Sequence, residues 1–274
     1  ALYQALDVDK EEGELYKQYD KDFFDYVIID ECHRGSSNEE GNWRKILEHF
    51  DSAVHIGMTA TPKIDEENKD TYDYFGPPVY TYSLKQGIED GFLAPYMIHR
   101  VNLEIDTVGY KPKPNERDLD GKLLDQEKTY GYKDFDRILI VDERRKTVAK
   151  HLIDFMEKNG KYDKTILFCQ NSEHALAMTK LIRNYSGENF NYCVRIVSAE
   201  GEIGREYLDH FQEINRDFPV VAVTSRLMST GVDVPTCRVI ALDKSLNSMT
   251  EFKQIIGRGT RVFESKDKMW FSII

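Results

Sequence analysis

Short runs of β-branched and apolar residues, each followed by a stretch with helical spacing, constrain this chain more than any other feature. Tyr26–Ile29, Ala53–Met58, Thr165–Cys169, Tyr192–Val197, Val220–Val223 and Val239–Leu242 read as strands. Near-continuous apolar runs belong to strands covered on both faces, as in parallel sheets. Helical patterns fall between them, over Trp43–Phe50, Ser83–Asp90 closed by Gly91, Val141–Lys158, Ser172–Tyr185 and Arg205–Gln212. In the longest of these, Val148, Leu152, Ile153, Phe155 and Met156 lie near helical spacing. Ser172 is placed to cap its helix, and Glu173 adds favourable first-turn charge. The alternation predicts an α/β fold built on parallel sheets. Ligands of such sheets sit at the carboxyl ends of the strands, where the polar motifs below are expected.

The rhythm breaks once. An extended stretch from Tyr96 to Ile105 leads into residues 106–135, where Lys111-Pro112-Lys113-Pro114-Asn115, glycines and scattered charge predict an exposed connection or insertion. Three segments follow: 1–95 and 136–274 as domains, with 96–135 as linker or insertion. The 274 residues suffice for two domains, and 41% hydrophobic residues supports full cores. No apolar run reaches the roughly 18 residues of a membrane span, and the N-terminus has no charged-then-apolar signal pattern, so a cytoplasmic protein is expected. The chain starts with Ala, and its first residues read as the middle of a domain. Four cysteines without a C-x-x-C pair read as buried reduced thiols.

The net charge of −11 argues against a simple basic coat for nucleic acid. The acidity is local: residues 1–95 hold 9 Lys and Arg against 21 Asp and Glu, while residues 136–274 hold 21 against 19. Nucleic-acid contacts would have to come from grooves and backbone amides.

Four motifs carry chemistry. Asp30-Glu31-Cys32-His33 ends the first strand, so both carboxylates leave at its carboxyl edge. Magnesium takes few protein carboxylates and keeps waters and phosphate oxygens, which suits Asp30. Glu31 is then placed to orient or deprotonate a water attacking a γ-phosphate, and His33 to couple the site to a neighbouring segment. A strand ending in ordinary solvated acids is the alternative. Thr59-Ala60-Thr61-Pro62 ends the next strand; Thr59 and Thr61 offer hydroxyls for a relay, although hydroxyl-rich turns before proline are common. After the Val220–Val223 strand, Thr224, Ser229 and Thr230 and the amides around Gly231 suit a nucleic-acid phosphate. Asp233 suits a ribose hydroxyl, an arginine partner, or a local cap. Gln254–Arg261 has the spacing Q-x-x-G-R-x-x-R. Arg258 and Arg261 are expected to share one helical face, with guanidinium forks matched to phosphate oxygens. Gln254 can reach the attacking water or the nucleotide. An arginine delivered to developing phosphoryl charge contributes on the order of 10³–10⁵ in rate. A solvated arginine face is the bland alternative.

As a set these residues resemble the superfamily 2 helicases and translocases. Asp30–His33 is similar to motif II (Walker B), Thr59–Thr61 to motif III, Ile166–Cys169 to the strand of motif IV, Ser229–Pro235 to motif V and Gln254–Arg261 to motif VI. A narrower resemblance, to the motor (R) subunit of type I restriction enzymes, runs through Asp22–Gly35, Trp43–Phe50, Gly57–Pro62, Gly91–Tyr96 and Gly257–Arg261; Tyr3–Leu6 resembles the segment after motif Ib. The resemblance implies two RecA-like parallel-sheet α/β domains that hold ATP and Mg2+ between them while double-stranded DNA crosses both, with modification and specificity subunits as partners. No G-x-x-x-x-G-K-[S/T] loop occurs in the sequence. The first domain is therefore expected to be incomplete, its Walker A half missing, and this piece by itself to be inactive. A strand-separating DNA-repair helicase and a non-catalytic nucleic-acid-binding module are the other readings.

Overall fold

The computed structural model describes residues 15–32, 40–59, 74–225, 232–246 and 248–274. The chain divides into two compact units, Ala1–Tyr82 and Ser83–Ile274.

In the first unit, β1 (Tyr26–Ile29) and β2 (Val54–Gly57) pair in parallel, with Ile29 opposite Gly57. The crossover between them carries α1 (Glu40–His49). Tyr16, Ile46, Phe50 and Ala53 form a small core against which Val27 packs. The other face of this ribbon is open: Tyr26 is 64% exposed, Ile28 61% and Val54 55%. The expectation of a strand covered on both faces fails for β1, because among the described residues its sheet has two strands and this one apolar cluster.

The second unit meets that expectation. Among the described residues it holds six parallel strands in the order β3-β8-β7-β4-β6-β5. These are β3 (Tyr96–Ile98), β4 (Lys164–Cys169), β5 (Cys193–Arg195), β6 (Val221–Thr224), β7 (Cys237–Asp243) and β8 (Phe271–Ile273). The helices are α2 (Leu84–Glu89), α3 (Glu104–Val108), α4 (Asp142–Asn159), α5 (Ser172–Ser186), α6 (Gly201–Gln212) and α7 (Met249–Ile256). Every residue of β4 and β6 is buried. Side chains alternate across a strand, and here both directions meet apolar neighbours. Ile166, Phe168 and Ala222 join one cluster with Phe211, Ile240 and Phe271. Leu167, Cys169, Val221 and Val223 join another with Ile153, Met156, Met178 and Ile182.

Several expected details change. Asn171, not Ser172, caps α5, its side chain accepting from the His174 amide at 2.8 Å. Helix α6 starts at Gly201, a turn before Arg205. The extended stretch beginning at Tyr96 gives way to α3 at Glu104. Residues 106–135 are not a loose connection: Tyr110 bridges Tyr130, Arg117 bridges Leu123, and Leu124, Tyr130 and Phe135 bury together with Leu139 and Val141. The compact division falls after Tyr82, so an edge at residue 95 would split the second unit. The physical reason is β3, which completes the sheet by pairing with β8, Tyr96 opposite Phe271. Among the described residues, no helix is long and apolar enough to cross a membrane.

Candidate active site

In the first unit the parallel register brings two motif ends together. Asp30 follows β1 and Thr59 lies two residues beyond β2. The Met58 amide donates to Ile29 O at 2.8 Å, and the Cys32 amide donates to Met58 O at 3.0 Å. The acidic turn and the hydroxyl-bearing loop are thus joined through their backbones. Glu31 takes a left-handed conformation, φ 53°, which costs a non-glycine residue on the order of 1 kcal/mol. Its amide donates to Asp30 Oδ1 at 2.8 Å. Asp30 is exposed and Glu31 half-buried. Behind them Cys32 is buried, and burial pushes its thiol up, with the Glu31 and Asp30 charges adding to that. A Cβ on Gly57 would meet Cys32 Sγ and the Phe75 ring at 3.1 Å, so a larger residue there would have to push these neighbours back by a few tenths of an ångström. His33 and Thr61 lie outside the described residues.

In the second unit the arginine motif is not a helical face. Helix α7 ends at Ile256, and Arg258 and Arg261 sit in the turn and bridge that follow it. This corrects the shared-face expectation: the chain leaves the helix at Gly257, and its new partner is an extended segment, Ala94 N donating to Thr260 O at 2.7 Å. The two arginines still converge, now on the segment that precedes β7. Arg258 Nη1 donates to Val232 O, and Arg261 Nη2 lies 2.7 Å from Asp233 Oδ2. Asp233 thus has an arginine partner in this structure. The pair is open to solvent, with side chains 63% and 49% exposed, and adds little stability. Gln254 is half-buried on α7. Thr224 ends β6 and is 1% exposed, so no phosphate reaches its hydroxyl in this arrangement. Ser229, Thr230 and Gly231 lie outside the described residues.

Topology corrects a further expectation. Asp30, Glu31, Thr59 and Thr224 stand at carboxyl ends of strands. Arg258, Arg261 and Asp233 do not: α7 carries the chain from the carboxyl end of β7 back toward the amino end of β8, and Asp233 precedes β7. Only motifs that directly follow a strand could be placed from the sequence.

Sequence reasoning missed a buried ion network at the carboxyl end of β7. Arg144 on α4 bridges Asp106 of α3 and Asp243 of β7, both at 2.7 Å. His174 Nε2 lies 3.1 Å from Asp243 Oδ2, and Arg145 pairs with Asp136. Burial pushes the Asp243 carboxyl up, but His174 and Arg144 outweigh it and hold the carboxyl below its ordinary value. These charges clamp the segment around residues 104–136 onto the sheet. The usable sequence signal was an acid ending an apolar strand with two arginines on a nearby helix. A separate cleft of about 610 Å³, lined by Tyr162, Lys164, Arg216, Arg238 and Lys268 among others, opens near the amino ends of β4 and β7 and holds none of the motif residues.

Comparisons with known proteins address the family of the chain. Residues 1–64 match the family model of the type III restriction enzyme res subunit, and residues 143–263 match the helicase conserved C-terminal domain. The chain is 48% identical over its whole length to the EcoAI type I restriction enzyme endonuclease subunit of Escherichia coli, of which it spans 34%. It is 28% identical, over 91% of its length, to the EcoKI endonuclease subunit of Escherichia coli K12, spanning 23% of that protein. A fragment structure of a type I HsdR subunit from Vibrio vulnificus YJ016 superposes with TM-score 0.70 at 44% identity, over 95% of this chain and 45% of that one. The type ISP restriction–modification enzyme LlaBIII shares the fold, with TM-score 0.62 at 17% identity over 99% of this chain and 19% of that one. The chain thus spans about a third of the EcoAI subunit. With restriction and helicase family models matching its two ends, 48% identity to the EcoAI subunit over its whole length and 44% to the HsdR fragment, the chain belongs to the superfamily 2 helicase and translocase family, as part of an R subunit of the type I restriction enzyme kind.

Proposed function

We propose that this chain is part of an ATP-dependent double-stranded DNA translocase of a type I restriction–modification system. In that reading, ATP hydrolysis between two RecA-like domains drives movement along DNA, in complex with modification and specificity subunits in the cytoplasm. The observation that carries the reading is Asp30-Glu31 at the end of β1, with Glu31 held in a left-handed backbone beside the motif III loop. Strain of this kind gathers at functional sites.

The donor set fits magnesium better than a metal caged by protein. Among the described residues no three His, Cys, Asp or Glu side chains gather around one point. Magnesium bound to a nucleotide needs one or two carboxylates and takes its other ligands from phosphate and water. Asp30 is exposed and, among the described residues, pairs with no cation, so it is free to hold the ion. The ion would neutralise phosphate charge when bound.

The chain's own groups supply the rest. Glu31 orients the attacking water and takes its proton. Arg258 and Arg261 meet the charge that develops on the transferred phosphoryl group. Gln254 lies on the helix leading to them and contacts the water or nucleotide. For Arg261 to reach phosphate it must leave Asp233, and the exposed pair costs at most about 1 kcal/mol to open. His33, Thr59 and Thr61 relay the state of this site; Thr224, Ser229 and Thr230 serve the nucleic acid, Thr224 after movement of its surroundings. Asp233 and Gly231 complete the nucleotide-side contacts.

The experiment is ATP hydrolysis by the intact subunit with and without linear duplex DNA, beside displacement of a labelled third strand and of one strand of the duplex. DNA-stimulated hydrolysis with triplex displacement and no strand separation supports the reading. Strand separation would point to a helicase, and salt-sensitive DNA binding without hydrolysis to a binding module.

A further inference from the structure

Lys268 is 0% exposed, one of the largest fully buried side chains in the molecule, and no motif includes it. A buried ammonium is costly unless its donors are used. Two are used: Nζ donates to Gly259 O at 2.5 Å and to Arg261 O. Its backbone is pinned as well, exchanging hydrogen bonds with Phe263 at 2.9 and 3.1 Å.

The two carbonyls it collects belong to the loop that carries both arginines. That loop has left helix α7, and tight-turn bonds tie its start to the helix end, Arg258 N donating to Ile255 O at 3.1 Å and Gly259 N to Ile256 O at 2.9 Å. Three further contacts hold the rest of it. Thr260 O accepts from Ala94 N on one side, the Gly259 and Arg261 carbonyls turn to Lys268 on the other, and Gly259 lies flat on Phe271. A Cβ at residue 259 would stand 2.5 Å from that ring, so the backbone can approach only as glycine.

We infer that Lys268 is a positioning residue for the arginine loop, fixing the backbone of residues 259–261 from which Arg261 reaches substrate once it leaves Asp233. It touches no substrate; it acts through Arg261, and its effect on turnover rests on the proposed motor function. A misplacement on the scale of 1 Å at a reacting group can cost on the order of 100-fold in rate. Burial also pushes the Lys268 ammonium down to about 8, with Cys237 and Arg238 of β7 and Asp233 facing it. Above that pH the two carbonyls would be left with a neutral, weaker donor.

Two measurements test this. The first needs no activity: amide hydrogen exchange across residues 257–263 in this chain, wild type against Lys268→Met. Exchange should rise about tenfold or more in that segment and stay unchanged in β4 and β6; unchanged exchange there in a folded variant overturns the assignment. The second is steady-state hydrolysis in the intact subunit. Lys268→Met should lower kcat on the order of 10- to 100-fold with KM for ATP within about twofold, Lys268→Arg should keep more of it, and in an Arg261→Ala background Lys268→Met should add less than about twofold. Full multiplication of the two losses would sink it. Should Lys268→Met fail to fold, the wild-type pH profile decides: kcat should fall above about pH 8, and Arg261→Ala should lack that limb. An alkaline limb equal in both contradicts the role. A wild-type subunit without DNA-stimulated hydrolysis refutes the motor reading alone, because the exchange experiment stands apart from it.

Discussion

Two strands of this molecule, β1 and β7, lead into an aspartate, and the two aspartates have opposite fates. Asp243 ends a strand buried on both faces and is 5% exposed, gripped by Arg144 and His174. Asp30 follows a strand whose outer residues Tyr26 and Ile28 are open, and the contact at its Oδ1 is a neighbouring amide. An acid after an apolar run therefore says where a carboxylate emerges, not what it does. Among the described residues, what separates the two is whether a cation stands beside it. Asp243 has its countercharges and is structural; Asp30 has none among them, which is the setting the proposed magnesium role requires.

The same contrast holds for the units as wholes, and it can be broken by substitution. Phe211 is fully buried in the second unit, with the Lys164 ammonium 5.2 Å from its ring. Phe211→Ala should cost about 3–5 kcal/mol in urea unfolding followed by hydrogen exchange at β4 and β6, with exchange in β1 and β2 unchanged. Equal loosening of β1 would show that the first unit draws its stability from the second.

A smaller effect comes from pH. Burial pushes both Lys164 and Lys268 down to about 8, and such interiors occur only where the core is complete. The folded state releases these protons near pH 8, the unfolded chain only at the ordinary lysine value of about 10.4. Between those limits the unfolded chain binds more protons, so each lysine makes stability rise with pH, by at most about 1.4 kcal/mol per unit. The buried thiols Cys193 and Cys237, pushed up to about 12, oppose this above about pH 8.5, where unfolded thiols ionise. The difference between wild type and Lys268→Met isolates one group. It should shift in favour of wild type as pH rises from 8 to 10, and a flat difference would mean that Lys268 is not held at a depressed value.

The smallest effect is expected in the first unit. Ile28 is 61% exposed, so Ile28→Ala in this chain should change stability by less than about 1 kcal/mol. A cost of several kcal/mol would place Ile28 in a packed core and erase the contrast.

Much of the fold was legible because strand position follows from local composition. The runs at β1, β2, β4, β6 and β7 were located within a few residues, and the alternation gave parallel sheets. Burial was not legible, since Val27-Ile28-Ile29 and Val221-Ala222-Val223 look alike while only the second lies between two apolar clusters. The segment 106–135 looked exposed because prolines, glycines and charges dominate its local signal. Its order comes from distant partners: Asp106 on Arg144, and Phe135 beside Leu139. At the site, Asp30, Glu31 and Thr59 could be placed because they follow strands. The setting of Arg258 and Arg261 could not, because it depends on where α7 stops and on Lys268, Ala94 and Phe271, none of which carries a motif.

The proposed function requires that Glu31 and Arg261 serve a single hydrolytic step. The most direct test is a double-mutant cycle on ATP turnover in the intact subunit, with Glu31→Gln, Arg261→Ala and both together. Groups acting as a unit are strongly non-additive. Each single variant should bind ATP yet lose on the order of 100-fold or more in kcat, and the double variant should be no slower than the worse single by more than a few fold. Losses that multiply in full, or wild-type turnover in either single variant, would contradict the account.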